Sequence, residues 1–262
     1  MSAFRQLHER GLLLLPNAWD AGSARLVESL GAKAIATTSA GVAWTRGYND
    51  GNRLPVERLI ATVEEIARVV RVPITIDMEA GYSDDPAAVA ETAARVIAAG
   101  AVGINIEDGE SSPDLLCAKI EAVKRAAQRS GADLFVNART DVYLAGLAPE
   151  GARVEETIAR AARYRAAGAD GIFVPCIAEP AEIEAVARAV AMPLNVMWMP
   201  GLPSLSELER IGVRRLSAGA AIPAIVFGSV ASLAAAFLRD GTLDSDQAMP
   251  YGAIAALFEQ GS

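Results

Sequence analysis

The sequence predicts a single (β/α)8 TIM barrel over residues 1–262, with one additional helix at its C-terminal end. The chain has 262 residues, close to the ~250 residues that such a barrel commonly needs. Eight short apolar runs alternate with helical segments at a spacing of roughly 30 residues, as strand–helix units do. No linker-like or low-complexity segment divides the chain, which favours one domain.

The eight apolar runs are the predicted strands, and each is entered through Gly or Pro. A Gly just past a helix end adopts the left-handed cap at little cost, and Pro stops a helix before the next strand. The first halves of the runs lack polar alternation, as expected for strands covered on both faces. In chain order they are LLLLPN (12–17), AKAIATTS (32–39), PITIDME (73–79), AVGINIED (101–108), ADLFVNART (132–140), ADGIFVPC (169–176), PLNVMW (193–198) and VRRLSAG (213–219).

The segments between the strands carry helix signals. Asp85-Pro86 and Ser112-Pro113 each combine a capping residue with Pro at the first helical position. Ser204 with Glu207 fits a capping box, and residues 56–70 place apolar side chains at helical spacing. After the eighth strand come residues 221–239 and 245–260, one helix more than the barrel needs. The last helix, about 245–262, is expected to pack either on a neighbouring subunit or on its own barrel.

Composition argues against several classes of function. The net charge is −8, and an acidic chain without a basic cluster is a poor candidate for binding nucleic acid or an anionic membrane. Cys117 and Cys176 have no metal-ligand spacing, so neither a disulfide scaffold nor a zinc site is expected. The apolar run near the N-terminus is too short for a signal peptide. Residues 216–238 carry no charge and are long enough to span a bilayer, but Pro223 and many Ala and Gly residues favour a strand and a buried helix. We expect a cytoplasmic protein.

Two carboxylates close the third predicted strand. Side chains two apart on a strand point the same way, so Asp77 and Glu79 share one direction just before a Gly turn. Two like charges side by side cost energy unless a cation or a positive substrate lies between them. Oxygen ligands suit Mg²⁺ or Mn²⁺. The alternative is a solvated strand end without a ligand.

Polar residues also end most of the other predicted strands, where the chemistry of a barrel is located. An arginine among carboxylates indicates either a clamp for a carboxylate or phosphate or a salt bridge to the acidic cluster. His8 precedes the first strand and is expected at the surface, and no lysine ends a strand. The polar strand ends are Asn17, Asp20, Thr37, Thr38, Ser39, Asp77, Glu79, Asn105, Glu107, Asp108, Asn137, Arg139, Asp141, Asn195 and Ser217.

Four motifs resemble the isocitrate lyase and phosphoenolpyruvate mutase superfamily. They are PNAWDAGSARLVESLGAKAIATTSAG, DMEAGY, NIED and NARTD, within a resemblance that runs from Leu13 to Ala220. The resemblance implies a barrel whose C-terminal helix is exchanged between subunits, usually within a tetramer.

The resemblance also implies roles for individual residues. Asp77 would contact Mg²⁺ directly, and Asp50, Glu79 and Glu107 would hold its waters. Ser39, Ala40 and Gly41 would bind the substrate carboxylate, and Arg139 would close on the same ligand. Asn105, Asn137 and Tyr82 lie in matching segments. We therefore expect Arg139, Glu107 and Tyr82 to be catalytic and the following residues to bind substrate: Ser39, Ala40, Gly41, Asn105, Asn137, Arg139 and Asn195.

Departures from the superfamily pattern narrow the expected activity. The loop after the fourth strand reads GESSPDLL, without the Cys-Gly-His of the isocitrate lyases and without the Lys-Thr-Asn-Ser of the mutase. We therefore expect a Mg²⁺-dependent lyase that cleaves a C–C bond of a small 2-oxo or 2-hydroxy dicarboxylate, with oxaloacetate decarboxylation as the simplest case. The alternatives are phosphonopyruvate or phosphoenolpyruvate chemistry at a P–C bond, and a barrel that binds a 2-oxo acid without turning it over.

Overall fold

The computed structural model describes residues 2–246 and 248–259, in which nine parallel strands form one barrel-shaped sheet. Helices connect the strands on the outside, as in a (β/α)8 barrel, which confirms the predicted fold class. The strands are β1 (Leu13–Leu15), β2 (Asn17–Ala18), β3 (Ile35–Thr37), β4 (Ile74–Asp77), β5 (Gly103–Glu107), β6 (Phe135–Arg139), β7 (Gly171–Val174), β8 (Leu194–Met197) and β9 (Val213–Ser217).

The ring closes through a first strand that is divided in two. Pro16 has no N–H to donate to a strand ladder, and it separates β1 from β2. The first part pairs with β9, with Leu15 opposite Ser217, and the second part pairs with β3, with Ala18 opposite Thr37. The eight predicted strands are therefore all present, and the first of them bridges the two edges of the sheet.

Local sequence explains where several helices begin. The side chain of Asp85 accepts the N–H of Ala87 at 3.0 Å, and Ser204 accepts the N–H of Glu207 at 3.3 Å, which is one half of the predicted capping box. The helices are α1 (Ala3–Gln6), α2 (Ala21–Ser29), α3 (Ser39–Thr45), α4 (Val56–Val69), α5 (Pro86–Ala98), α6 (Pro113–Arg129), α7 (Arg153–Ala166), α8 (Pro180–Ala189), α9 (Leu205–Arg210), α10 (Ala221–Asp240) and α11 (Tyr251–Ala256).

The barrel interior is apolar at one end and polar at the other. Phe4 and Phe135 pack with Leu13, Leu15 and small alanines inside the ring at the N-terminal ends of the strands. A larger apolar layer lies between the strands and the surrounding helices. The polar strand ends therefore face the opposite mouth, which is where the candidate site lies.

His8 is buried, so the expectation that it lies at the surface is wrong. It is 3% exposed, and its ring stacks on Phe135 with centroids 4.3 Å apart. Its Nδ1 donates to the carbonyl of Phe4 at 3.0 Å. Burial lowers the pKa of His8 to about 4, and the charge of Arg215 adds to this effect. The short helix α1 closes the bottom of the barrel, which carries His8 inward.

The two C-terminal helices differ from the prediction, α10 in its burial and α11 in its length. The side chains of α10 are largely exposed, including Ile225, Val230 and Phe237, so the expected burial is not met within one chain. Within the described residues, α10 is the one helix that is long and apolar enough to cross a membrane. The final helix covers Tyr251–Ala256, shorter than the predicted 245–260, and residues 247 and 260–262 of that prediction lie outside the described part of the chain.

Candidate active site

A small cavity opens at the C-terminal ends of the strands. Its volume is about 170 Å³, below the ~300–1,000 Å³ of pockets that hold drug-sized molecules. It therefore suits a small metabolite. Both polar and apolar side chains line the cavity. The lining residues are Asn17, Thr38, Ser39, Ala40, Asp50, Asp77, Asn105, Arg139, Leu144, Phe173, Pro175, Met197, Ser217, Gly219 and Ala220.

Asp77 ends β4 and points into this cavity. One carboxylate oxygen accepts the backbone N–H of Ser39 at 3.2 Å, and the other accepts the N–H of Glu79 at 3.3 Å. Burial raises the pKa of Asp77 above its ordinary value, although Arg139 and these N–H groups act in the opposite direction. A partly buried carboxylate of this kind is stabilised by a cation next to it.

Glu79 lies beside Asp77 in a turn with unusual backbone geometry. Both Glu79 and Tyr82 have positive φ angles, 50° and 62°. The hydroxyl of Tyr82 donates to Glu79 at 2.7 Å, and the backbone N–H of Asn52 donates to the other carboxylate oxygen. Burial raises the pKa of Glu79 and that of Tyr82. These bonds connect the turn to the loop that carries Asp50 to the cavity.

Arg139 ends β6 and forms ion pairs with two carboxylates. Its Nη1 lies 2.7 Å from Glu107, while its Nε and Nη2 donate to the two oxygens of Asp141 at 2.6 and 2.9 Å. Burial raises the pKa of Glu107 to about 8, with Arg139 opposing and Asp77 adding to the effect. The sequence left two alternatives for Arg139, a clamp for a substrate anion and a salt bridge to the acidic cluster. The salt bridge is present, and Arg139 also lines the cavity.

Amide side chains form a layer below the cavity. Nδ2 of Asn137 donates to Oδ1 of Asn105 at 2.9 Å and to Oδ1 of Asn195 at 3.0 Å. Nδ2 of Asn195 donates to Ser217 Oγ at 3.1 Å. Asn105 and Ser217 line the cavity, whereas Asn137 and Asn195 support it from below.

The cavity brings together only part of the predicted site. Asp77, Asp50 and Arg139 line it, as do Ser39, Ala40 and Asn105. Gly41, Glu79, Tyr82, Glu107, Asn137 and Asn195 are not in contact with it. The functional roles of both groups remain predictions.

Apolar residues of the cavity were not predicted from the sequence. They are Leu144, Phe173, Pro175 and Met197, which line the cavity together with the polar residues. Phe173, Pro175 and Met197 lie at or just after strand ends, so the position of the strand ends could have indicated them. Leu144 lies in the loop after β6, and no sequence signal places it at the cavity.

The donor set fits a hard divalent ion held mainly through water. Among residues 2–246 and 248–259, no group of three Asp, Glu, His or Cys side chains converges closely enough to enclose an ion. Mg²⁺ usually keeps several waters and takes only one or two carboxylates. Asp77 could therefore be a direct ligand, with Asp50, Glu79 and Glu107 around it. The raised pKa values of Asp77, Glu79 and Glu107 indicate a site where added positive charge is favourable.

Comparisons with known proteins agree with the motifs and the fold. Residues 4–238 match the phosphoenolpyruvate phosphomutase family. Over 259 residues the chain is 38% identical to a Mycobacterium tuberculosis (strain CDC 1551) protein of uncharacterised function, covering 97% of this chain and 95% of that protein. It is 31% identical over 231 residues to the oxaloacetate decarboxylase of Paraburkholderia xenovorans (strain LB400), covering 83% of this chain and 74% of that one. A crystal structure from Burkholderia cenocepacia J2315, provisionally described as a phosphonomutase, superposes with a TM-score of 0.84 at 42% identity, covering 88% of this chain and 97% of that chain.

Proposed function

The chain belongs to the phosphoenolpyruvate phosphomutase family, within the superfamily of mutases and lyases that includes isocitrate lyase, and on that premise we propose that it is a Mg²⁺-dependent carbon–carbon lyase. Its proposed substrate is a small 2-oxo or 2-hydroxy dicarboxylate, and decarboxylation of oxaloacetate is the simplest case. The observation that carries the proposal is the partly buried carboxylate of Asp77, which lines a cavity of about 170 Å³ together with Arg139.

The residues around the cavity divide into metal-holding and substrate-binding groups. A bound Mg²⁺, or Mn²⁺ in its place, would supply positive charge that stabilises enolate character on a 2-oxo acid. Asp77 would hold the ion directly, and Asp50 together with Glu79 and Glu107 would orient its waters. The second carboxylate of the substrate has Arg139 as its partner, since a guanidinium suits carboxylate geometry.

The start of α3 offers additional donors to a substrate carboxylate. The first N–H groups of a helix have no partner within that helix. The N–H of Ser39 is already donated to Asp77, so the donors at the cavity are the N–H of Ala40 and the hydroxyl of Ser39. The N–H of Gly41 follows in the same turn, one residue beyond the lining of the cavity. Glu107 and Tyr82 are the proposed proton-carrying groups near the acidic cluster. In this arrangement Arg139 and the start of α3 bind and orient the 2-oxo acid.

The apolar residues that line the cavity favour carbon–carbon over carbon–phosphorus cleavage. A leaving carboxylate that becomes neutral CO₂ gains from an apolar surrounding such as Leu144, Phe173 and Met197, because the charged form is desolvated there. A phosphonate would instead keep its charge next to these apolar side chains. Relatives named oxaloacetate decarboxylase agree with this preference.

Phosphonopyruvate or phosphoenolpyruvate chemistry is the second candidate function. The observation that favours it is the similarity to the Burkholderia cenocepacia structure provisionally described as a phosphonomutase. Such an activity would place the phosphoryl group near Arg139, which is the one cationic side chain among the residues that line the cavity.

We further propose that α10 and α11 pack on a second copy of this chain and that the protein is a cytoplasmic homo-oligomer, built as a dimer of helix-exchanged dimers. A helix that is apolar on all sides is normally buried, yet α10 is largely exposed in the single chain. Only its first part is anchored, where Pro223 is buried and Phe227 contacts Trp44 with centroids 6.0 Å apart.

A thermal-shift screen tests the proposed site. Oxalate, oxaloacetate and phosphonopyruvate are each added with Mg²⁺ and with EDTA, because a ligand that binds only the folded state raises the melting temperature. A Mg²⁺-dependent shift with oxalate or oxaloacetate supports the lyase, and a shift with phosphonopyruvate alone supports the second candidate. If no compound gives a Mg²⁺-dependent shift, the metal-holding roles of Asp77, Asp50, Glu79 and Glu107 are wrong.

A further inference from the structure

Arg215 is a buried cation that the proposed chemistry does not use. It lies on β9, two residues before Ser217, and is 1% exposed. Burial lowers the pKa of Arg215 to about 9, so the side chain remains charged at neutral pH. Its Nε and Nη1 have no hydrogen-bond partner in the described part of the chain. A buried charge with unpaired donors lowers the free energy of unfolding, so Arg215 is retained at a cost to the stability of the fold.

The one side-chain bond of Arg215 reaches the candidate site. Its Nη2 donates to Oδ1 of Asn105 at 3.2 Å, and Asn105 lines the cavity. The same oxygen accepts Nδ2 of Asn137 at 2.9 Å. Both lone-pair directions of Oδ1 are therefore used on the side away from the cavity.

The chemistry of arginine fixes which way the Asn105 amide points. An amide has an oxygen acceptor at one end and an NH₂ donor at the other, whereas a guanidinium only donates. The end of Asn105 that faces Arg215 must therefore be the oxygen. It follows that Asn137 presents its NH₂ to Asn105, and the same NH₂ then meets the oxygen of Asn195. The same polarity is set from the other end of this chain of amides, because Nδ2 of Asn195 donates to the backbone carbonyl of Val196 at 2.7 Å. Arg215 therefore holds the oxygen of Asn105 together with Asn137.

The NH₂ group of Asn105 is left for a ligand. Within residues 2–246 and 248–259, Nδ2 of Asn105 has no hydrogen-bond partner, in contrast to its Oδ1. This nitrogen is not one of the unpaired polar atoms that are closed off from solvent, as expected for a group that faces the cavity. Asp77 lies opposite Asn105 in the ladder between β4 and β5, so this donor is next to the carboxylate proposed to hold the metal.

We propose that Arg215 is a positioning residue that, together with Asn137, holds the Asn105 amide so that its NH₂ donates to an oxygen of the bound 2-oxo acid. This inference rests on the proposed function, because it assumes that a 2-oxo acid or its analogue occupies the cavity. Through this bond, negative charge that develops on the substrate oxygen is stabilised by a donor that is already oriented before binding.

Two substitutions of Arg215 test whether its charge and its hydrogen-bond donors are needed for ligand binding or whether the residue serves only the fold. Lys keeps a charged, donor-only group, and we expect Arg215→Lys to retain oxalate affinity within about threefold. Gln can present an oxygen that repels Oδ1 of Asn105, so that Asn137 alone is left to hold the Asn105 amide in its orientation. Arg215→Gln is expected to weaken oxalate binding in the presence of Mg²⁺ by about tenfold, the effect of one hydrogen bond to a charged ligand. Arg214→Gln, a change at the adjacent residue outside the barrel interior, is the matched control and leaves the affinity unchanged.

A double-mutant cycle shows whether Arg215 acts through Asn105. With Asn105→Ala already present, Arg215→Gln should change the oxalate dissociation constant by less than about twofold, because the group that it orients is gone. Equal effects of Arg215→Gln in both backgrounds would overturn the inference. Absence of Mg²⁺-dependent oxalate binding by the unsubstituted protein would instead overturn the proposed function.

Asn105→Asp provides a test that leaves Arg215 in place. The carboxylate still accepts the bond from Arg215, but it has no NH₂ to offer to a ligand. We expect a folded protein, by circular dichroism, whose oxalate affinity falls at least tenfold in the presence of Mg²⁺. If Arg215→Gln does not fold, this variant decides the question, and an unchanged affinity would contradict the inference.

Discussion

Asp77 is surrounded by groups with opposing effects on its ionisation. Burial and the nearby Asp50 raise its pKa, whereas Arg139 and two backbone N–H groups lower it. In the absence of a cation the carboxylate is therefore held at a cost in free energy, which a divalent ion would relieve.

Asp77→Asn should remove the response to Mg²⁺ while leaving the fold intact. The amide has the same size as the carboxylate but no charge to desolvate, so with EDTA we expect a free energy of unfolding that is unchanged or about 1 kcal/mol higher. Urea unfolding with EDTA and with Mg²⁺ plus oxalate measures both quantities. Glu64→Gln, at an exposed position of α4, is the control. A large loss of stability with EDTA would show that Asp77 serves the fold rather than a metal.

His8 should make stability fall at mildly acidic pH. Its folded-state pKa of about 4 lies below the ordinary 6.5, so the unfolded chain binds the extra proton between these values. The contribution is fully present above pH 6.5 and decreases as the pH falls toward 4, by about 3 kcal/mol in total. Unfolding free energies of the wild type and His8→Asn across this range test it. A parallel pH dependence of the two proteins would contradict the buried neutral imidazole.

The segment from β4 to α5 shows how one element positions several site groups. β4 carries Asp77, and the following turn carries Glu79 and Tyr82 in left-handed conformations. Gly81 lies between them with φ 91°, and a Cβ there would lie 2.7 Å from a methyl carbon of Val89 on α5. The helix thus presses against the turn, and this contact sets where Glu79 lies relative to Asp77.

Gly81→Ala should therefore be more harmful than the same change at Gly31. Both glycines have positive φ, but a Cβ at Gly31 meets no atom within 4 Å. We expect Gly31→Ala to lower the free energy of unfolding by about 1 kcal/mol, and Gly81→Ala to lower it by about 2 kcal/mol more, because Val89 must move. Chemical denaturation of both variants measures the difference. Equal losses would show that the turn does not depend on contact with α5.

The sequence predicts the strands well, but it predicts the turns between them poorly. Apolar runs entered through Gly or Pro mark the strands because burial on both faces requires apolar residues. The positive φ of Glu79 could not be predicted, since glutamate has no intrinsic preference for that conformation and tertiary contacts impose it. His8 was misplaced for a related reason, because a lone polar residue before the first strand carries no pattern that signals burial.

At the scale of the whole molecule, the fold class and the polar residues at the C-terminal ends of the strands can be predicted from the sequence. The size of the cavity and the apolar residues that line it cannot. Strand ends can be read from a chain, but which of them meet across a ring depends on the closure at Pro16 and on strand register. Arg215 illustrates the limit. Its neighbour Arg214 has the same side chain. The two differ because consecutive residues of a strand point to opposite faces, and Arg215 is the one that is buried.

The exposed face of α10 should hold subunits together. Val230, in the middle of the helix and 58% exposed in the single chain, is expected to lie in the proposed interface. Val230→Glu should lower the molecular mass in solution to that of a smaller assembly, measured by light scattering after size-exclusion chromatography. Leu30→Glu, at a position 79% exposed, controls for the added charge and should leave the mass unchanged. A monomeric wild type would contradict the proposed exchange of helices.

The most direct test of the central claim is the rate of pyruvate formation from oxaloacetate by the purified protein with Mg²⁺. The wild type should release pyruvate well above the rate given by an equal concentration of Asp77→Asn, which corrects for decarboxylation caused by the free ion. EDTA should reduce both proteins to the same rate. Equal rates for wild type and Asp77→Asn with Mg²⁺ would contradict the assignment of this cavity as an oxaloacetate-cleaving, metal-dependent site.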